Sequence, residues 1–398
     1  MSWQMAPLGE VLAPIQTWNP RRAAASDVFD YIDLSSVDRD EKAIMAPTPT
    51  IPSEAPSRAR QLVKSGDILV STVRPNLNAV AVVEEELDGA TASTGFSVLR
   101  PDEKKAASRY IYHWVRTPSF VADMVRKATG ASYPAVSDKI VAESLIPLPP
   151  LEEQRRIAGI LDAADALRRC RREALALLDT LPGAIFAEMF GDRLYGPDRA
   201  TDTVPLAEVA HIQSGITKGR RLKSGEKTEE TAYLAVANVQ DKRLDLSNVK
   251  MIEATEKERE RYALAVGDLL LTEGGDPDKL GRGTVWNDEI PGAIHQNHIF
   301  RVRVTDETVQ PIFLSHLLSS PYGRGYFLRM AKQTTGIASI NKTQLSGFPA
   351  ILPDEGEQIE FVQRLKSYQD QKERYISHLG EVDCLFASLQ SRAFAGEL

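Results

Sequence analysis

Apolar residues recur at helical spacing in two long runs of this chain. The first run is Ile157, Ile160, Leu161, Ala164, Leu167, Leu175, Leu178 and Leu181; the second is Ile359, Val362, Leu365, Ile376, Leu379, Val382, Phe386 and Leu389. Each stripe is narrow, as in a coiled-coil seam, and predicts a long helix. Similar lead-ins precede them: Pro147-Leu148-Pro149-Pro150-Leu151-Glu152-Glu153-Gln154 and Pro349-Ala350-Ile351-Leu352-Pro353-Asp354-Glu355-Gly356-Glu357-Gln358. Prolines cannot continue a helix but suit a rigid approach to one, and acidic residues suit its first turn. Pro182 and Gly183 bend or end the first helix. About 30 residues of helix span roughly 45 Å. A narrow stripe gains little alone, so each is expected to be buried against the other.

Between the helical runs the pattern is mixed. Short β-branched and apolar runs bounded by Gly, Pro and Asn predict strands at Asp67 to Ser71, Asn78 to Val83, Asp268 to Thr272, Gly283 to Trp286 and His298 to Val304. Short helices are predicted at Ser108 to Arg116, Phe120 to Lys127, Ile312 to Ser319 and Gly323 to Lys332. Ala46 to Arg60, with prolines at 47, 49, 52 and 56, reads as a long irregular loop, a common place for binding.

The order of these features repeats. Pro7-Leu8-Gly9-Glu10-Val11 is echoed by Pro205-Leu206-Ala207-Glu208-Val209, and Gly66-Asp67-Ile68-Leu69 by Gly267-Asp268-Leu269-Leu270. Thr129-Gly130-Ala131-Ser132 corresponds to Thr335-Gly336-Ile337-Ala338-Ser339. A period of about 200 residues is too long for a solenoid and indicates a duplicated domain with its helix.

Composition changes this picture little. The chain has 398 residues, 42% hydrophobic and 26% charged, as in soluble globular proteins. No apolar run suggests a membrane span, and the first residues do not resemble a signal peptide, so a cytoplasmic location is expected. Cys170 and Cys384 make no disulfide framework and are expected to be buried or half-buried thiols. The net charge of −7 argues against a protein wholly devoted to nucleic acid, but not against local basic patches.

If local patches of this acidic chain serve nucleic acid, base readout would need fixed donor and acceptor geometry, and phosphate contact Lys, Arg, hydroxyls and amides. In the first half, Ser71, Thr72, Arg74, Asn76 and Asn78 supply such groups between two strands, and Thr129 and Ser132 lie in a small-residue loop. A polar turn capped by Asn78, and a turn before a helix capped by Ser137, are the plainer readings. In the second half, Lys218, Arg220, Arg221 and Lys223 form the densest basic run outside the helices; Lys279 and Arg282 follow a Gly-rich loop. Gln296 and Asn297, and then Thr335, Ser339, Asn341 and Lys342, complete the candidates. The arginine pairs 155–156, 168–169 and 171–172 have acidic neighbours and suit a solvated or subunit-facing surface.

No metal or catalytic set emerges. His295-Gln296-Asn297-His298 lacks a third ligand at zinc spacing. Gly274-Gly275 is not followed by the Lys-Ser/Thr of a phosphate loop. Asn19-Pro20-Arg21-Arg22 and Asp276-Pro277-Asp278 do not match the Asn/Asp-Pro-Pro-Tyr/Phe motif of an adenine methyltransferase. An enzyme with a cryptic site, or a protein-only coiled-coil scaffold, stays open as the alternative to a DNA reader.

The run Pro147 to Leu161 resembles the conserved region of type I restriction–modification specificity subunits. So do Leu271-Thr272-Glu273-Gly274-Gly275-Asp276, Ile294-His295-Gln296-Asn297-His298, Thr334-Thr335-Gly336-Ile337-Ala338-Ser339-Ile340-Asn341 and the closing Ser391-Arg392-Ala393-Phe394-Ala395-Gly396-Glu397-Leu398. The resemblance covers essentially the whole chain. It implies a mixed α/β fold with a pseudo-two-fold repeat: target-recognition domains at 1–146 and 193–350, separated by antiparallel coiled-coil helices at 147–192 and 351–398. It also implies a non-catalytic subunit reading a bipartite site in double-stranded DNA. Two modification subunits would dock on the helices and carry the S-adenosylmethionine, this chain holding no cofactor; restriction subunits, the translocase and nuclease, would join them. Half-sites on one face of B-DNA lie ~34 Å or a multiple apart, a span such helices suit. Asp354-Glu355-Gly356 departs from Pro150-Leu151-Glu152, so the two copies need not grip a partner identically.

Overall fold

The structure is a computed structural model describing residues 3–22, 27–196, 201–222, 225–276, 280–334 and 337–398. It divides into two units: Met1–Leu175 with Tyr375–Leu398, and Ala176–Arg374.

In the first unit, strands Val80–Val82, Ile68–Ser71, Phe96–Pro101 and Leu12–Ala13 form one antiparallel sheet in that order. A second sheet runs Gln16–Thr17, Ala59–Leu62, Thr91–Ser93, Phe29–Ile32 and Thr48–Thr50. Its Thr91–Ser93 and Phe29–Ile32 strands are parallel. The central strand serves two cores because its side chains alternate. Ile68 and Val70 face the helices, while Leu69 packs with Ile32, Ala92 and Phe96. Helices α1 (Ser108–Trp114), α2 (Pro118–Lys127) and α3 (Asp138–Ala142) cover the first sheet. They precede the long α4 (Leu151–Leu178).

A new helix, α5 (Leu181–Tyr195), starts just beyond α4, with Pro182 in its first turn, where a missing amide costs nothing. The second unit then repeats the plan with α6 (Leu206–Val209) and α7 (Glu256–Tyr262). Strands Gly283–Val285, Leu269–Thr272, Ile299–Val304 and Ala210–Ser214 stand in the order of their first-unit equivalents. Leu269 and Leu271 face one core and Leu270 the other. Thr228–Leu234 pairs in parallel with Ile294–His295, as Phe29–Ile32 does with Thr91–Ser93. Helices α8 (Pro311–Ser319), α9 (Pro321–Met330) and α10 (Lys342–Ser346) precede α11 (Glu355–Ala395).

The repeated Gly-Asp and Glu-Gln pairs have structural uses. Gly66 and Gly267 have φ of +85° and +89°, which glycine adopts without strain. The following Asp67 and Asp268, each buried, bind Arg100 at 2.6 Å and Arg303 at 2.7 Å. Gln154 accepts a hydrogen bond from the Ala107 amide at 3.0 Å and donates to the carbonyls of Pro149 and Lys105 at 2.9 and 3.1 Å. Gln358 does the same with the Gln310 amide and the Pro353 carbonyl, at 2.9 and 2.8 Å. Each glutamine thus ties a long helix to its own head.

Within the first unit, α4 packs antiparallel to the end of α11. Arg168 reaches both Asp165 and Asp383, and Phe386 lies under the Arg168 guanidinium at 4.3 Å. Gln390 donates to the His113 carbonyl, and Phe394 packs on Tyr110 and Trp114. Within the second unit, α5 packs antiparallel to the start of α11. Arg193 binds Glu357 at 2.6 Å, Arg364 meets Glu188 at 3.3 Å, and Lys372 pairs with Asp179. Phe186, Phe190, Phe313 and Phe361 form the shared aromatic core there.

Several expectations need correction. Leu167, Leu181, Ile359 and Ile376 of the apolar stripes are exposed, because ion pairs and Arg–aromatic contacts make part of the helix packing. Cys170 and Cys384 are exposed on those helices. The 46–60 segment is not wholly irregular: Thr48–Thr50 is an edge strand, a place that tolerates Pro49. Lys332, read as the end of α9, opens a strand, Lys332–Thr334. Finally, Leu151–Tyr195 is long and apolar enough to cross a membrane by length and composition alone. Its Phe186, Phe190 and Leu194 are instead spent on the core of the second head.

Acid sensitivity follows from the buried imidazoles. Burial holds His295 down to about 4 and His316 to about 3, both in the second unit. Their folded values lie below the unfolded one, so the unfolded chain takes up protons first. Their stabilising contribution is complete above about pH 6.5 and is lost as pH falls through the folded values, roughly 3 kcal/mol for His295 alone. The urea midpoint of the second unit should therefore fall between pH 7 and pH 4.5; a flat profile over that interval would contradict this burial.

Candidate nucleic-acid interface

Each head gathers its candidate loops at the ends of its strands. In the first head, the loop after Ile68–Ser71 meets the 129–136 loop: the Thr72 carbonyl accepts from the Val136 amide at 3.0 Å, and the Arg74 amide donates to the Pro134 carbonyl at 2.7 Å. The Thr72 amide donates to the Gly95 carbonyl at 2.9 Å, bringing in a third loop. The second head repeats the arrangement. The Glu273 amide donates to the His298 carbonyl at 2.9 Å, and Gly274 pairs with Ser339.

Ser71 and Thr72 are buried, and their hydroxyls bond the Val73 and Gly95 carbonyls at 2.9 and 2.8 Å. They shape the loop and do not project from it. Arg74 projects: it has a left-handed backbone, φ +50°, and its guanidinium stacks over Tyr133 at 4.8 Å. Asn76, Thr129 and Ser132 are exposed beside it. Asn78 is also left-handed and caps a short turn; its side-chain amide donates to the Arg116 carbonyl at 3.3 Å. Tyr133, 69% exposed, was not singled out from sequence. An aromatic in a Gly/Ser loop was the available signal.

In the second head, Arg220 is tied to the Glu258 carboxylate at 2.7 Å and the Glu253 carbonyl at 2.6 Å. The hydrogen bond from Arg220, against the cost of burial, holds Glu258 down to about 2, so the Arg220 charge is met by a carboxylate within the head. Lys218 and Arg221 are exposed and form no ion pair among the described residues. Arg282 is half-buried, bonding Gln240 at 3.2 Å. Gln296 and Asn297 are half-buried, held through backbone bonds to Leu234 and Ile216. Asn341 caps α10, its side-chain oxygen accepting from the Gln344 amide at 2.9 Å. Lys342 is exposed beside it, and Ser339 is half-buried. Lys223, Lys279 and Thr335 lie outside the described residues. His298, paired with Glu273 at 2.6 Å and 57% exposed, lies where the sequence reading placed only its neighbours.

The 215–222 loop depends on one close approach. A Cβ at Gly215 would fall 1.9 Å from the His295 carbonyl oxygen. Gly215→Ala is expected to push this loop off the 294–298 segment, costing about 1–3 kcal/mol locally. Protection of the Ile216 and Asn297 amides from hydrogen exchange should fall, with the first unit unchanged. Among the described residues, no group of three or more His, Cys, Asp or Glu side chains could hold a metal ion.

Two heads share one sheet order, and each carries polar loops at its strand ends and is tied to a long helix, so the chain is a structural duplication. The chain is similar to the specificity subunits of type I restriction–modification systems. A profile of the type I restriction modification DNA specificity domain matches residues 52–176. The chain is 26% identical over 314 residues to the type I restriction enzyme StySPI specificity subunit of Salmonella potsdam, covering 75% of this chain and 67% of that protein. It is 25% identical over 317 residues to the EcoKI specificity subunit of Escherichia coli K12, covering 76% and 68%. A chain solved in a study of complex assembly and conformational transition of the type I R-M system has a TM-score of 0.69 at 25% identity, with 100% of this chain and 98% of that one covered. The S subunit of the type I system of M. genitalium shares the fold at TM-score 0.53 and 12% identity, with 99% and 96% covered.

Proposed function

We propose that this chain is the DNA-specificity subunit of a type I restriction–modification complex, each head reading one half of a bipartite site in double-stranded DNA. The observation that carries this reading is the repeated head, built twice in one chain with the same strand order and the same glutamine tie to its helix. A homodimeric reader favours a palindrome, whereas two heads in one chain diverge freely and read unlike half-sites. The domains run 1–146 and 193–350, and the helical regions 147–192 and 351–398 set the gap between half-sites. Two modification subunits dock on those helices, bind S-adenosylmethionine and methylate adenine; restriction subunits join for translocation and cleavage. The chain itself performs no chemistry and works in the cytoplasm.

The test is methylation mapping in a host without other adenine methylation, expressing the chain with its modification subunits. A single two-part motif is expected, and none from the chain alone. Arg74→Ala should relax one half only, and deleting one turn within 157–181 should alter the gap. Methyl transfer by the purified chain alone, or the same motif from both variants, would count against the reading.

A further inference from the structure

The first head carries a basic cleft that the loop candidates do not include. Three neighbouring segments of its second sheet open onto a cavity of about 740 Å³ lined by Thr17, Trp18, Asn19, Arg22, Arg60 and Thr94. The Trp18 amide donates to the Arg60 carbonyl at 2.9 Å, and the Thr94 amide to the Arg58 carbonyl at 2.9 Å, so main-chain hydrogen bonds join these segments. Gly95, next to Thr94, accepts from both the amide and the hydroxyl of Thr72. Those bonds link the Thr94–Gly95 edge of the cleft to the loop that carries Arg74.

Charge sets it apart. Five other arginines of this acidic chain are answered by carboxylates: Arg100 by Asp67, Arg109 by Asp162, Arg116 by Asp165, Arg220 by Glu258 and Arg303 by Asp268. Among the described residues, no carboxylate forms an ion pair with Arg21, Arg22, Arg58 or Arg60, and none lines the cleft. The neighbouring cleft beside Arg74 and Tyr133 does contain carboxylates, those of Asp38 and Asp40.

The cleft is also preformed. Trp18 is locked by a 2.9 Å bond from its indole nitrogen to the Thr91 hydroxyl and by an edge contact with Phe29 at 5.3 Å. Arg60 donates to the Asn19 side-chain oxygen, which leaves the Asn19 amide nitrogen and the remaining Arg60 donors for a ligand. Such a set is rich in donors, and its complement is a ligand of closely spaced acceptors. Within a DNA-reading head, that complement is the N7/O6 edge of guanine, flanked by phosphates.

We propose that this cleft is a base-reading subsite of the first head: Arg60, steadied by Asn19, reads a guanine edge, while Arg22 and Arg58 hold the adjoining phosphates. The inference rests on the DNA-reading function proposed above. It adds a second contact surface to the Arg74 loop, and it gives Asn19-Pro20-Arg21-Arg22 a use.

The test expresses the full chain with its modification subunits, as wild type and as Arg60→Ala, Arg60→Lys and Arg22→Ala, and maps methylated sites. Each purified full chain is then titrated with salt on a duplex bearing the mapped wild-type site. Arg60→Ala should accept other bases at one position of one half-site, losing roughly ten- to a hundredfold in discrimination there. Arg60→Lys should not restore it, since a point charge lacks the planar fork. Arg22→Ala should keep the motif but lower the slope of log affinity against log salt by about one. An unchanged motif in both Arg60 variants, with an unchanged slope in Arg22→Ala, overturns the proposal. If Arg60→Ala yields no methylation, Arg22→Ala decides, since its side chain makes no hydrogen bond or ion pair among the described residues: a reduced slope supports the cleft, and an unchanged slope overturns it. A wild-type complex giving no two-part motif overturns the DNA-reading function itself, and the cleft assignment with it.

Discussion

Asp165→Ala is expected to destabilise the first unit by about 3–5 kcal/mol, because it strands a buried guanidinium. The Arg116 and Asp165 side chains are 7% and 6% exposed and joined at 2.9 Å, with Arg168 reaching the same carboxylate at 3.1 Å. Arg116 also lies over Tyr112 and Phe386, so it cannot swing to water without opening the packing between α1, α4 and the end of α11. The neighbouring Asp162 adds a pH dependence. Burial opposes its charge, but hydrogen bonds from His113 and Arg109 outweigh that cost and hold the carboxyl down to about 2. His113 is itself kept low by burial, so it is neutral at pH 7 and donates from Nε2, and Arg109 is the cation of the group. A depressed carboxylate contributes stability that is present above its unfolded value near 4 and lost as pH falls through 2. Urea denaturation at pH 7 should show the Asp165→Ala loss in the first-unit transition, with the second-unit transition unmoved. A loss below 1 kcal/mol would mean that the pair is solvated.

Gln154→Ala should be comparably damaging, at about 3–5 kcal/mol. The Gln154 side chain is fully buried and meets one amide and two carbonyls; without it, all three are left dry and unpaired. Gln154→Glu should not rescue the unit, since a carboxylate cannot donate to the Pro149 and Lys105 carbonyls. Gln358→Ala should cost somewhat less, about 2–4 kcal/mol, because Gln358 bonds two groups, the Gln310 amide and the Pro353 carbonyl. Hydrogen exchange discriminates the outcomes. Gln154→Ala should expose the α1 amides and leave α8 protected, and Gln358→Ala the reverse. Equal loosening of both heads by either variant would show that the glutamines are not local ties.

These glutamines also show how far the sequence could be read. Their repetition after a proline-rich lead-in marked two helix starts, which lie at Leu151 and Glu355. The reason for the glutamine was invisible, because Ala107 lies 47 residues from Gln154 and Gln310 lies 48 from Gln358. The site residues divide in the same way. Residue type nominated Ser71, Thr72, Asn78, Arg220 and Asn341 because each can bond a base or a phosphate. The fold had already used their polar groups on Val73, Gly95, Arg116, Glu258 and Gln344. Arg60 and Asn19 drew no attention as readers, since they are far apart in sequence and meet only at the strand ends.

Periodicity, proline and glycine placement, and the doubled order of motifs were determined by the sequence alone, because they depend on backbone preferences over a few residues. Which polar groups are spent and which are free was decided only by the tertiary structure. A hydrogen bond or an ion pair is made by whatever the fold brings within about 3 Å, and that neighbour is seldom near in the chain.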